Sequence, residues 1–267
     1  MRRRELRRGA RLAAPAAVVL ASLVACLDLG TDPDVPFAIA FDSLPYPSLL
    51  AGDTMRDSLG IVAPIQVTAY NSAGNAITGV GTTWFLLDTG AAVDADGILT
   101  TTRRDGSVRI VGTVAGLQSP TRTVRIARRP DTLFTTLDTN VSVSYTLPDI
   151  AANATPSLTV RLQTTDTIGG LVPGVQGWIV RWRAVHDGDT LAADDATLAA
   201  LLTGSNQRSR QDTTPTDGSS ARRLRVWANT LPNAVDSFLV VAEARLHGVP
   251  VPGSPVIFKV MVGPNSP

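Results

Sequence analysis

Four aspartates crowd one short stretch of this chain: Asp187, Asp189, Asp194 and Asp195. A hard cation such as calcium gathers several carboxylate and carbonyl oxygens, so these four are the calcium candidates, with Asp94 and Asp96 a smaller group. Their spacing does not match the Asp-x-Asp-x-Asp-Gly loop, and aspartates in turns commonly cap their own backbone. Beyond them no metal and no cofactor is expected. His186 and His247 are the only histidines. A histidine base needs a Ser or Cys nucleophile, or a carboxylate that orients it, and the sequence sets neither beside them. There is no Gly-x-Ser-x-Gly elbow, phosphate loop or His-Glu-x-x-His. No catalytic residue is expected, which makes an enzyme, for instance a secreted hydrolase, the least favoured class. Arg208, Arg210, Arg222, Arg223 and Arg225 could meet an anionic polysaccharide by forked hydrogen bonds; more commonly such arginines form a solvated face paired with carboxylates.

The elements that must hold these residues read as β-structure. Trp178 to Val185 alternates Trp178, Val180, Trp182 and Ala184 against Ile179, Arg181, Arg183 and Val185, a strand with one buried face. It runs into the turn His186-Asp187-Gly188-Asp189. Further strands are expected at Ser157 to Gln163, Arg222 to Ala228, Phe238 to Ala244 and Val256 to Val262. Ala196 to Leu202 reads as a helical turn or a strand, and Gly204 to Gly218 as an exposed loop. Upstream, Trp84-Phe85-Leu86 forms a short strand. Asp94-Ala95-Asp96-Gly97 turns the chain, since Gly takes a positive φ at little steric cost. Asp105-Gly106 then releases an alternating strand in which Val108 and Ile110 face inward. Phe37 to Phe41 and Ile65 to Tyr70 precede this centre, joined by an irregular connection from Asp42 to Leu59.

The tryptophan strand followed by "VDADGILT" and an alternating strand is similar to the bacterial immunoglobulin-like repeats of the invasin and intimin type, in particular the group-2 repeats. Val175 to Val262, with "VRWRAVHDGDTL", "PTDGSSARRLRV" and "GVPVPGSPVIFKV", resembles the group-1, invasin-like kind, and Trp182 takes the role that Trp84 has upstream. The resemblance implies an all-β fold of two tandem immunoglobulin-like antiparallel β-sandwich domains, expected over residues 37–128 and 131–263. Arg128-Arg129-Pro130-Asp131 marks the boundary, because proline cannot donate to a ladder.

Residues 1–25 read as a signal peptide, with six arginines ahead of an apolar core too short for a permanent span. Leu23-Val24-Ala25-Cys26 resembles the bacterial lipobox, in which the cysteine becomes the first mature residue and carries lipid. Cys26 is the one cysteine of the 267 residues, so no intramolecular disulfide is possible. Residues 26–36 then supply the lipidated cysteine and a flexible, proline-bearing tether. Removing the leader turns a net charge of +1 into −4, which disfavours nucleic acid as a partner. Leu27, standing where aspartate would mark inner-membrane retention, points to the outer membrane. The expected protein is a lipid-anchored envelope protein with a membrane tether, and a protein or glycan ligand. Its alternative is a surface adhesin that recognises a glycan or protein on another cell.

Overall fold

A computed structural model describes residues 34–166, 172–195, 197–231 and 235–264. The predicted export signal and Cys26 lie outside the described residues. Within them the chain is almost entirely β, with one 3-10 turn at Ala228–Thr230.

Two sheets belong to the first half. Ala38–Phe41, Val67–Tyr70 and Ala76–Ile77 form one. Ser48–Leu50, Arg122–Ala127, Gly106–Val114 and Thr83–Leu86 form the other, in that order. Alternation builds their core: along Gly106–Val114, Val108 and Ile110 are fully buried while Ser107 and Arg109 face out. The hairpin Ala91–Val93 to Leu99–Thr101 closes one end. Its turn forms because Gly97 takes a φ of 82° and the Asp94 carboxylate accepts the Ile98 amide at 2.8 Å. Gly112 is demanded by crowding, since a Cβ there would lie 2.9 Å from Val67 Cγ2 and 3.0 Å from Trp84 Cζ3.

The second half repeats the plan with more strands. Thr132–Phe134, Leu158–Gln163, Ser219–Val226 and Ala199–Leu202 make one sheet. Asn140–Tyr145, Val256–Pro264, Asp236–Leu246 and Ile179–His186 make the facing one, with Asp189–Thr190 and Gln211–Thr213 both paired to Ile179–His186. Trp182 is 2% exposed and stacks on Phe258 at 6.3 Å. Trp84 is only half-buried against Phe41, so the two tryptophans are not equivalent. The described fold is an all-β pair of immunoglobulin-like sandwiches.

Several expectations change. The connection Asp42 to Leu59 contains the strand Ser48–Leu50, which pairs in parallel with Arg122–Ala127. Asn140–Tyr145 is a second parallel edge strand, lying along Val256–Pro264. Neither has an Asp-Gly turn to announce it, because a parallel partner arrives from far along the chain. Of the two readings of Ala196 to Leu202, the strand is the one formed, at Ala199–Leu202, while Gln211–Thr213 adds a strand inside the expected loop. The short strand Leu117–Gln118 pairs back onto Gly106–Val114. The first strand, expected over Phe37 to Phe41, runs Ala38–Phe41, and Phe37 just before it is 64% exposed.

Candidate functional site

The residues that carry the sandwiches also meet between them. Pro45 and Pro47 favour an extended chain there, and Tyr46 and Ser48 reach across to the start of the strand Ile179–His186. The Tyr46 hydroxyl accepts the Ile179 amide N–H at 3.0 Å, and Ser48 Oγ donates to the Gly177 carbonyl at 2.8 Å. The Tyr46 and Trp178 rings lie 5.0 Å apart, tilted by 57°, and the Trp178 indole N–H donates to the Arg245 carbonyl at 3.1 Å. Burial pushes the Tyr46 hydroxyl well above the ordinary phenol range; the Ile179 amide and the Arg181 charge oppose that only in part. The buried apolar residues of both sandwiches join in one continuous cluster through this point.

A charged cluster borders the same junction. His247 Nε2 lies 2.7 Å from Asp53 Oδ2, and the Arg56 Nε lies 3.4 Å from the same oxygen. Burial alone would raise the Asp53 carboxyl, but the Thr54 amide and the charges of Arg56 and His247 outweigh it and hold it below its usual value. His247 sits at φ 50° in the turn after Asp236–Leu246, and Gly60 packs directly on it. A Cβ at Gly60 would fall 2.3 Å from the His247 carbonyl carbon, so only glycine permits the contact. The cavity among Tyr46, Asp53, Arg56, Trp178 and His247 has a volume of about 30 Å³. That is room for a water or two and far below a substrate pocket of about 300 Å³ or more. What this arrangement does chemically is fasten two modules together.

His186 has a carboxylate as well: its Nε2 lies 2.8 Å from Asp236 Oδ2, and the ring stacks on Phe238 at 4.7 Å. Both histidines therefore have the aspartate orienter that the sequence failed to place. The partners stand 50 residues away for His186 and nearly two hundred for His247, a separation no local pattern records. The Ser237 backbone amide donates to Asp236 Oδ1 at 2.7 Å, but among the described residues neither pair has a Ser hydroxyl or Cys thiol hydrogen-bonded to it.

The four calcium candidates are spread along one turn and loop. Asp187 takes φ 51° in its turn and is 85% exposed. Asp189 opens the short strand Asp189–Thr190. The Asp194 carbonyl accepts Arg208 Nη1 at 2.7 Å. Asp195 Oδ1 accepts the amides of Thr197 and Leu198 at 2.6 and 3.0 Å. Among the described residues no group of three or more His, Cys, Asp or Glu is placed to hold a metal ion.

The arginine set divides. Arg222 and Arg225, candidates for an anionic polysaccharide or for a solvated face paired with carboxylates, are buried instead, at 3% and 9% exposed, though each does meet a carboxylate. Arg222 lies on the inward side of Ser219–Val226 with Ser220 and Leu224. It belongs to a chain of polar contacts that ties the loop to the core. The Trp182 indole N–H donates to Ser220 Oγ at 2.8 Å, Ser220 Oγ donates to Asp212 Oδ2 at 2.9 Å, and Arg222 Nη1 donates to the same oxygen at 3.0 Å. Arg222 also donates to the carbonyls of Ser209 and Gln211. Arg225 forks onto Asp149, with contacts of 2.6 and 3.1 Å. The Arg225 hydrogen bond, helped by the Ala228 amide and Asn153 against the opposing effect of burial, holds the Asp149 carboxyl below its ordinary value. Arg223 Nε donates to the Thr155 carbonyl.

No family model and no curated protein sequence matches this chain. Among solved structures it is similar to the Yersinia pseudotuberculosis adhesin InvE, with 14% identity and a TM-score of 0.32 over 84% of this chain and 58% of that one. It is also similar to domains 4 and 5 of the S-layer protein SbsC, with 15% identity and a TM-score of 0.27 over 84% and 96% of the two chains. For the Escherichia coli adhesin FdeC the figures are 14% identity and 0.26, over 84% and 63%. The chain thus spans 58% of the InvE chain. The assignment to paired sandwiches rests on the sheets described above.

Proposed function

We propose that this chain is a lipid-anchored bacterial cell-envelope protein whose two immunoglobulin-like sandwiches act as a non-catalytic binding or structural module. One observation carries the module reading. The two cores run together through Tyr46 and Trp178, with Ser48, Asp53 and His247 bonded across the same seam. A pair joined this way presents its faces at a fixed angle to whatever holds the first sandwich. The anchor is supported by Leu23-Val24-Ala25-Cys26 and by the short tether after it. Acyl chains on Cys26 would contribute about 0.8 kcal/mol per buried CH₂, so multiple acylation makes a lasting attachment.

Mass spectrometry of the protein taken from membranes tests the anchor. The expected species begins at Cys26 and carries acyl mass; an unmodified thiol overturns the lipid part. The narrower reading, a surface adhesin, is tested by protease shaving of intact cells. Degradation favours a surface orientation, while survival places the module in the periplasm.

A further inference from the structure

A depression on the second sandwich lies on the outer face of Ile179–His186. It has a volume of about 360 Å³ and is lined by Arg181, Arg183, Arg210, Thr190, Gln211 and Glu243, with Trp182 between them. That volume falls in the range of about 300–1,000 Å³ typical of small-ligand sites. Register explains the gathering. Arg181 is paired with Glu243 on one neighbouring strand and with Gln211 on the other, and Thr190 opposes Val185 nearby. Strand alternation sends Arg181 and Arg183 outward while Trp182 points into the core.

The charge of this groove is unbalanced. Three arginines face one glutamate, and Glu243 is already held by Arg183 at 3.3 Å and by Arg245. Among the described residues, the guanidiniums of Arg181 and Arg210 have no hydrogen bond or ion pair. The far wall is fixed from behind. Arg222 holds the carbonyl of Gln211, and the Arg210 carbonyl accepts the Trp182 amide at 2.7 Å. Side chains that arrive already positioned lose less entropy on binding.

We propose that this groove binds an acidic oligosaccharide, one whose sugar rings carry carboxylates. This deepens the reading of the chain as a binding module and rests on it, but not on the lipid anchor. Forked guanidiniums match carboxylates in two-point geometry, and the exposed Gln211 amide and Thr190 hydroxyl suit ring hydroxyls. An acidic peptide fits less well, because it docks largely through backbone hydrogen bonds. Here the strand's own backbone is spent on Asp236–Leu246 on one side and on Arg210, Gln211–Thr213 and Leu191 on the other. Nucleic acid would want an exposed aromatic platform, and Trp182 is buried.

The test uses the full chain in detergent, with oligogalacturonate as probe and isothermal titration as readout. Oligo-aspartate and a neutral cello-oligosaccharide are the comparison ligands. Binding of oligogalacturonate is expected, weakening as salt is raised. Arg181→Gln and Arg210→Gln should each weaken it about tenfold, as the loss of a partly exposed forked contact implies. Arg122→Gln, on an exposed residue of the first sandwich, should leave it unchanged. All variants should keep the parent melting temperature. No binding of oligogalacturonate, or binding indifferent to both groove variants, overturns the proposal. Equal binding of oligo-aspartate or of the neutral glycan, lost in the same variants, overturns the ligand class. Shortening of the probe during the titration would refute the non-catalytic reading while leaving the groove assignment intact, so the two fail separately.

Discussion

Changing Tyr46 to Phe removes a single oxygen from the seam between the sandwiches. Tyr46 is 9% exposed, and its hydroxyl accepts the Ile179 amide at 3.0 Å. Phenylalanine keeps the ring against Trp178, so the loss is the hydrogen bond and the desolvation of an amide left without a partner. Stranding a buried amide costs about 1–3 kcal/mol. At about 2–4 °C per kcal/mol for a chain of this size, the midpoint case of about 2 kcal/mol lowers the melting temperature by roughly 4–8 °C. Tyr70→Phe is the control: it lies half-buried at the end of Val67–Tyr70 and should shift stability by no more than about 0.5 kcal/mol. Circular dichroism melts give the magnitude, and hydrogen exchange at the Ile179 amide gives the location. Alkaline pH supplies a second readout. Burial raises the folded-state pKa of Tyr46, so its contribution is fully present below the unfolded phenol value of about 10 and is lost as pH rises through the folded value. The parent protein should weaken above about pH 10, and Tyr46→Phe should lack that component. Equal melts for the two variants, with the Ile179 amide still protected, would refute the reasoning.

Asp149→Ala strands the 9% exposed Arg225 guanidinium and should cost about 3 kcal/mol, less than a fully isolated charge because carbonyls of Asn153 and Val226 remain as acceptors. Adding Arg225→Met should recover much of that loss in chemical denaturation, and a double variant no better than the single one would contradict the account. Asp53 and Asp149 both have depressed carboxyl pKa values, so their contribution is present above the unfolded value of about 3.9 and lost as pH falls through the folded values. Acid unfolding should therefore steepen below about pH 4, and Asp149→Asn should flatten that limb of a stability–pH curve. Cys26→Ser should move the chain from the membrane to the soluble fraction on fractionation, with the melting temperature of the sandwiches unchanged.

Local chemistry was legible and distant chemistry was not. The turn at Asp94 to Gly97 could be read because everything that makes it lies within five residues: an aspartate that caps Ile98 and a glycine at φ 82°. Alternation in Ile179–His186 was likewise visible, since a sheet with one buried face writes a period of two into the sequence. The junction left no such mark. Tyr46 and Ile179 are 133 residues apart, and the stretch holding Tyr46 has prolines that suggest irregularity although it feeds directly into a strand. The histidine partners were missed for the same reason, as Asp236 and Asp53 come from other parts of the chain.

The arginines show how a sandwich decides what a cation can do. Arg181 and Arg222 belong to facing sheets of the same module and look alike in sequence, each flanked by apolar residues and further arginine. Arg222 falls on the inward side with Ser220 and Leu224, where an unpaired charge would be costly, so it is bound to Asp212 and to loop carbonyls. Arg181 falls on the outward side, and the carboxylate across from it in the sheet register, Glu243, is held by other arginines. The first residue is thereby committed to structure and fixes the loop bearing Arg210 and Gln211; the second stays open to an anion from outside. Ligand capacity here follows from the order in which buried and exposed charges are satisfied, with the inner arginine holding the wall against which the outer ones can act.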